Sequence, residues 1–396
     1  MSGSPFEEFA DAMASSPRAA PGTARRFERI AVLGGGKDAR LIAALCLAAG
    51  AGVILFSAYG AELDALRRNG GVTLRGEGPI GTFQVDREGI PSIRTTAELD
   101  TAISQADLIF LTGPVHKQRT YAMVLADHLR DGQVLVLAPG RSLGAAETAW
   151  LLRVGGCRAD YTIIEAQGLP YWTTETGGTL TLARTGHVAA ATLPAGRRDA
   201  LDGLAAFFPN LDPVASTIHA GFHDASALVE LPALLMGGPA LPDSRPAVPA
   251  EAKPLAENAT FRSLIGEKHL KIIERMAEER RLVASRFGVR DLPDTGSWIS
   301  TYAGAPRGDG ARRIPGQAEA LGIVRCGTIG SLAPLQSAAQ IAGIATPATS
   351  AMITLASTVL DADIESAGRS LASIGINAST IDDARRILDT IAGGSR

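Results

Sequence analysis

Short apolar runs alternate with helical stretches over the first half of the chain, whereas the second half carries helical patterning alone. Together they predict an α/β protein, with a doubly wound parallel sheet at the N-terminus and an all-helical C-terminal domain. The length of 396 residues and a hydrophobic content of 46% suit a large core divided between two domains.

"RIAVLG", "GVILFS", "ADLIFLTG", "GQVLVLAPG" and "DYTIIEA" are apolar runs bounded by turn residues, as strands buried on both faces should be. Helical stretches such as Leu41 to Ala49 and Thr120 to Leu129 fall between them. The Gly-rich text from Val72 to Val85 predicts a hairpin inserted in the winding. "GTLTLARTGHVAAATLPAG" adds two more strands, and after Arg197 the strand signal fades.

Helices are then expected over Asp199 to Phe208, His219 to Leu235, a long charged stretch near Phe261 to Phe287, and four segments from Ser331 to Ile391. Pro and Gly between Gly237 and Pro254, and from Gly304 to Gly316, mark loops. Three parts are expected: a flexible extension over 1–28 with one short helix at Phe6 to Met13, a nucleotide domain over 29–198, and a helical substrate domain over 199–396.

Composition excludes several classes. A net charge of −3 gives no basic surplus for nucleic acid. The start lacks an unbroken apolar core of the kind a signal peptide needs, and no later stretch has the ~20 apolar residues of a membrane span. Cys46, Cys157 and Cys326 are far apart and match neither a disulfide framework nor a zinc pattern, so a cytoplasmic protein is expected.

The chemistry starts at "LGGGKDA". Gly34, Gly36 and Ala39 fit G-x-G-x-x-G/A between a strand and a helix, which makes the sheet Rossmann-type. Gly34, Gly35, Gly36, Lys37, Asp38 and Ala39 are the expected pyrophosphate cradle, facing the helix N-terminus. Ser57 stands where an acid would grip the ribose of NAD. Its hydroxyl makes NADP(H) the preferred cofactor over NAD(H), with Arg67 or Arg68 as the charge. Thr112, Gly113 and Pro114 in "TGPVHKQ", and Gly140 in "APGRS", lie at carboxyl ends of strands, where such sheets bind ligands.

Further on, His219, His223, Ser226 and Glu230 are spaced 4, 3 and 4 apart, on one face of the expected apolar helix. An isolated Glu230 there would gain a raised pKa and could donate a proton, as His223 could. The alternative for Glu230 is a buried partner of Lys or Arg and a structural role. For His219 and His223 the alternative is capping or core hydrogen bonding. No third ligand accompanies that pair, so no metal is expected. The charged stretch near Phe261 to Phe287 reads as a solvated face.

"VLGGGKDARLIAALCLAAG", "ADLIFLTGPVHKQ", "LVLAPGRSLGAAET" and "TIIEAQGLPYW" resemble the nucleotide domain of the octopine/nopaline-type opine dehydrogenases. The C-terminal "LAPLQSAAQIAGIATPATSAMITLASTVLDADIESAGRSLASIGI" resembles their helical domain, with a Gly-Arg-x-Leu-x-x-x-Gly segment. The resemblance runs from about Ile30 to Leu388. It implies NAD(P)H-dependent reduction of the imine formed from an amino acid or amine and a 2-oxo acid. The family's N-x-N-x-x-x-H-P segment falls on "DASALVEL", which puts Asp224 and Ser226 on the two Asn and Glu230 on the catalytic His. Lys117 takes a second family histidine's place, with His116 one position early. With Glu165, Ser226 and Arg325, these two are the expected substrate-binding residues. A ketopantoate-reductase-like 2-oxo acid reductase and a non-catalytic NADP-binding sensor are the alternatives. The partners expected are small molecules, with apolar C-terminal helices that suit a homodimer.

Overall fold

The computed structural model describes residues 24–236 and 259–387, apart from 309, 379 and 385. The short helix expected at Phe6 to Met13 and the expected loop between Gly237 and Pro254 lie outside the described residues. The chain runs β1 (Arg29–Leu33), α1 (Lys37–Ala48), β2 (Gly52–Phe56), α2 (Gly60–Arg68), β3 (Gly71–Gly76), β4 (Gly81–Gln84), β5 (Ile93–Thr96), α3 (Leu99–Ile103), β6 (Leu108–Leu111), α4 (Val115–Leu125), β7 (Val134–Leu137), α5 (Gly144–Val154) and β8 (Thr162–Ala166). It continues with β9 (Tyr171–Thr176), β10 (Thr179–Arg184), β11 (Val188–Leu193), α6 (Arg198–Leu204) and β12 (Leu211–Pro213).

Eight strands form one sheet in the order β12-β11-β8-β7-β6-β1-β2-β5. Six of them, from β5 to β8, are parallel neighbours with β1 at the centre, and β11 joins β8 antiparallel. Alternation along each strand feeds two cores. Ile30, Val32, Phe110 and Val136 face one side of the sheet, while Ala31, Leu33, Ile109 and Leu135 face the other. Both faces are therefore apolar, which is why these strands read as continuous runs. The hairpin expected over Val72 to Val85 is present as antiparallel β3 and β4, in a second sheet of order β4-β3-β10-β9.

Helices follow: α7 (Thr217–His223), α8 (Ser226–Met236), a 3₁₀ turn at Phe261–Leu264, α9 (Glu267–Arg286), α10 (Thr295–Ala303), α11 (Gln317–Gly327), a π-helical turn at Thr328–Leu332, α12 (Ala333–Ala342), α13 (Pro347–Leu360) and α14 (Ile364–Ala367). Leu228, Leu231, Met276, Trp298 and Leu332 form their core. Among the described residues, no helix is long and apolar enough to cross a membrane.

Four expectations are corrected. The sheet continues to Pro213, and Leu201, Leu204 and Phe208 belong to a core of the sheet, so a division at 198/199 cuts through one packed unit. The end of the expected flexible extension is pinned, since Arg25 N donates to Asp199 O and Phe27 is buried. The single helix over His219 to Leu235 is broken at Asp224 and Ala225. On the charged helix α9, Glu279 and Arg280 are buried rather than solvated.

Candidate active site

The glycine turn has the geometry of an anion cradle. Gly34 adopts φ +128°, and a Cβ there would lie 2.4 Å from Thr112 Oγ1, so β1 and the end of β6 approach as only glycine allows. A Cβ on Gly36 would meet nothing within 4 Å, which leaves open space at the start of α1. No side chain caps that helix, and its first N–H groups face this space. A dinucleotide pyrophosphate fits these residues. Lys37 reaches from the turn across to the helical region, with Nζ 2.6 Å from Glu319 Oε1 and 3.1 Å from Thr173 O. Asp38 is half-buried, and burial pushes its carboxyl up despite the charge of neighbouring Lys37. Ala39 packs in the sheet core beneath.

Gly113 and Pro114 lead into α4, and Gln118 Nε2 links the loops after β6 and β7 by donating to Gly113 O (3.4 Å) and Pro139 O (3.0 Å). Gly140 packs on Glu165, where a Cβ would lie 2.4 Å from Glu165 Cγ. Glu165 was expected to bind substrate. It is fully buried, accepts from Ala145 N at 2.6 Å and from Gln167 Nε2 at 2.8 Å, and so caps α5 instead of reaching a ligand. Burial pushes its pKa up to about 8. Glu147, one turn into α5, goes the other way. Burial would raise it, but the charge of Arg369 and the bonds of Arg119 hold it below the ordinary carboxylate range.

Arg141, one residue past the Gly140 site, is the residue sequence reasoning missed. Its side chain is 13% exposed, bonds Ser226 Oγ through Nη1, and lies 3.7 Å from Asp224 Oδ1. Asp224 is buried at the break between α7 and α8 and accepts from Ser226 Oγ at 2.6 Å and from Ser331 Oγ. Those bonds explain the break, because the Asp224 carboxylate serves α8 as a cap and anchors the π-helical turn at Ser331. Gly330 in that turn packs on Arg141 and Val115. One cluster thus joins the ends of β6 and β7 to the helical region.

The four residues expected on one helical face do not share one. Ser216 caps α7 by accepting from His219 N, and His219 Nδ1 lies 2.9 Å from Ser216 Oγ. His223 is half-buried at the end of α7, with Nδ1 2.8 Å from His219 O. Glu230 is not isolated. Its Oε1 lies 2.7 Å from Arg312 Nη1, with both side chains buried, so it sits in a buried ion pair. His116 and Arg325 are exposed near the cluster, and Lys117 stacks over the Tyr59 ring at 5.0 Å. The His116 pKa is lowered by burial and then by Lys117, Arg325 and Arg119, so the local field is positive. Among the described residues, no three His, Cys, Asp or Glu side chains gather as a metal site.

No family model matches the chain. A curated opine dehydrogenase from Arthrobacter sp. (strain 1C) is 23% identical over 364 residues, covering 88% of this chain and 96% of that protein. A solved octopine dehydrogenase, in complex with NADH and L-arginine, shares the fold of this chain. Its TM-score is 0.67 at 18% identity, over 93% of this chain and 99% of that one. A ketopantoate reductase from Ralstonia eutropha JMP134 gives a TM-score of 0.56 at 16% identity, over 84% and 98%.

The Gly-Arg-x-Leu segment of the opine dehydrogenase resemblance now has a physical role. Arg369 is buried, pairs with Glu147 at 2.8 Å, and donates to Gly140 O (3.1 Å) and Ser142 O (2.7 Å). It fixes the two carbonyls that flank Arg141, and so sets that guanidinium in the cluster.

Proposed function

We propose that the chain is an NAD(P)H-dependent dehydrogenase that condenses an amino acid or amine with a 2-oxo acid and reduces the product. Arg141 carries this assignment. A nearly buried guanidinium at the carboxyl end of a parallel strand, beside the Gly113–Val115 loop, is placed to take a carboxylate on its planar fork. The positive field at His116 draws anionic substrates into the same cleft.

In the reaction the amine nitrogen adds to the 2-oxo carbon and water leaves, giving a C=N bond. When bound, the nicotinamide supplies the hydride that this carbon receives. The chain's own groups orient the pair and move the proton. Arg141 holds the oxo acid's carboxylate, with Asp224 and Ser226 fixing the guanidinium. His223, held through Nδ1 by the His219 carbonyl, keeps Nε2 for the proton that the nitrogen takes. Gly34 to Ala39 cradle the pyrophosphate, and the Lys37–Glu319 pair ties that turn to the helices.

The test is oxidation of NADH and NADPH with a panel of 2-oxo acids, each with and without a panel of amino acids. Turnover that requires both substrates supports condensation. Turnover with an oxo acid alone moves the chain to the 2-oxo acid reductases, and nucleotide binding without turnover on either panel favours the sensor.

A further inference from the structure

The acid that the end of β2 lacks is supplied by the next helix. Ser57 is buried, accepts from Tyr59 N at 3.1 Å, and donates to Glu62 Oε2 at 2.6 Å. That bond aims the carboxylate back at the glycine turn. A Cβ on Gly35 would lie 2.2 Å from Glu62 Oε2 and 2.8 Å from Glu62 Cβ. Glu62 therefore stands in the gap between the end of β2 and the turn, and Gly35 must be bare to admit it. Of the two cations expected for a 2′-phosphate, Arg67 is engaged elsewhere. Arg67 donates to Asp86 at 2.9 Å and to Thr95 Oγ1 at 2.7 Å, and pairs with Asp64. Lys117, over the Tyr59 ring, has no bond to Ser57 or Glu62 among the described residues.

We propose that Glu62 is the residue that selects the nucleotide, and that the chain prefers NAD(H) over NADP(H). This rests on Gly34 to Ala39 being the dinucleotide turn. A carboxylate in this gap accepts hydrogen bonds from the two ribose hydroxyls. A 2′-phosphate, doubly charged at neutral pH, would meet that carboxylate at contact distance and be repelled. Ser57, which alone would favour NADP(H), is a positioning residue whose hydroxyl is committed to Glu62.

The test is equilibrium binding of NADH and NADPH, followed by nicotinamide fluorescence without turnover. The wild-type chain is expected to bind NADH at least about tenfold more tightly than NADPH. In Glu62→Gln, NADH affinity falls by about tenfold while NADPH affinity rises, which inverts or abolishes the preference. Ser57→Ala leaves the acid but frees its orientation, and is expected to give part of the same shift. Tighter NADPH binding by the wild-type chain, or unchanged Kd values in Glu62→Gln, overturns the role of Glu62. Failure of the wild-type chain to bind either nucleotide overturns the dinucleotide turn itself, an outcome distinct from the other two.

Discussion

Glu230 Oε1 lies 2.7 Å from Arg312 Nη1, and the Arg312 guanidinium is sandwiched between the rings of Trp172 and Phe261 at 4.3 and 4.2 Å. Trp172 belongs to β9 and Glu230 to α8, so this buried pair clamps the smaller sheet to the helical region. Removing one partner leaves the other charge buried without compensation. Glu230→Gln should therefore destabilise the chain by about 3–5 kcal/mol. The expected result is a large fall in Tm, with turnover of the folded enzyme at low temperature kept within about tenfold of wild type. Loss of turnover at an unchanged Tm would instead make Glu230 an acid.

Arg141 is expected to act on substrate and not on nucleotide. Arg141→Leu should lower kcat/KM for the 2-oxo acid by about 10²-fold or more, since a charged fork is lost. The Kd for the nicotinamide nucleotide should be unchanged in the same variant. Equal losses in both would place Arg141 in the scaffold.

His223 is the proton carrier in this scheme. His223→Gln should lower kcat by about 10²–10⁴-fold with KM little changed. An unchanged kcat would assign the proton to another group.

Two carboxyls at the start of α5 give opposite pH signatures. Glu165 has a folded pKa of about 8 against an ordinary value of 4.5, so the folded chain binds the extra proton between those values. Its contribution to stability is fully present below pH 4.5 and is lost as pH rises through about 8. Glu147 is held below its ordinary 4.5, so its contribution is present above that value and lost as pH falls through the lowered one. Thermal unfolding from pH 5 to 8.5 should show Tm falling with pH in the wild-type chain. In Glu165→Gln that slope should flatten, and an unchanged slope would contradict the assignment.

The scaffold was legible because buried parallel strands are written as unbroken apolar runs. β1, β2, β6, β7 and β8 all appear where "RIAVLG" and its counterparts stand. β12 was not legible, because Leu211–Pro213 is short and ends on proline. The break between α7 and α8 carried a readable signal in "HDAS", an Asp ahead of a helix, but the spacing of the histidines drew a single face across it. Arg141 stood beside the glycine that was read, and Glu62 lay five residues past the expected acid, inside a helix turn. The partner of Glu230 could not be read at all. Arg312 is distant in sequence, and only the fold brings its guanidinium to the carboxylate.

Reductive condensation is tested most directly by the mass and labelling of the product. The chain would be incubated with an amino acid, a 2-oxo acid and nicotinamide nucleotide deuterated at the transferring position. The expected product is a secondary amine, whose mass is the sum of the two substrates less one water plus one hydrogen and one deuterium. Its deuterium should sit on the carbon joining carboxylate to nitrogen. Deuterium found only in a 2-hydroxy acid, with no joined product, would contradict condensation.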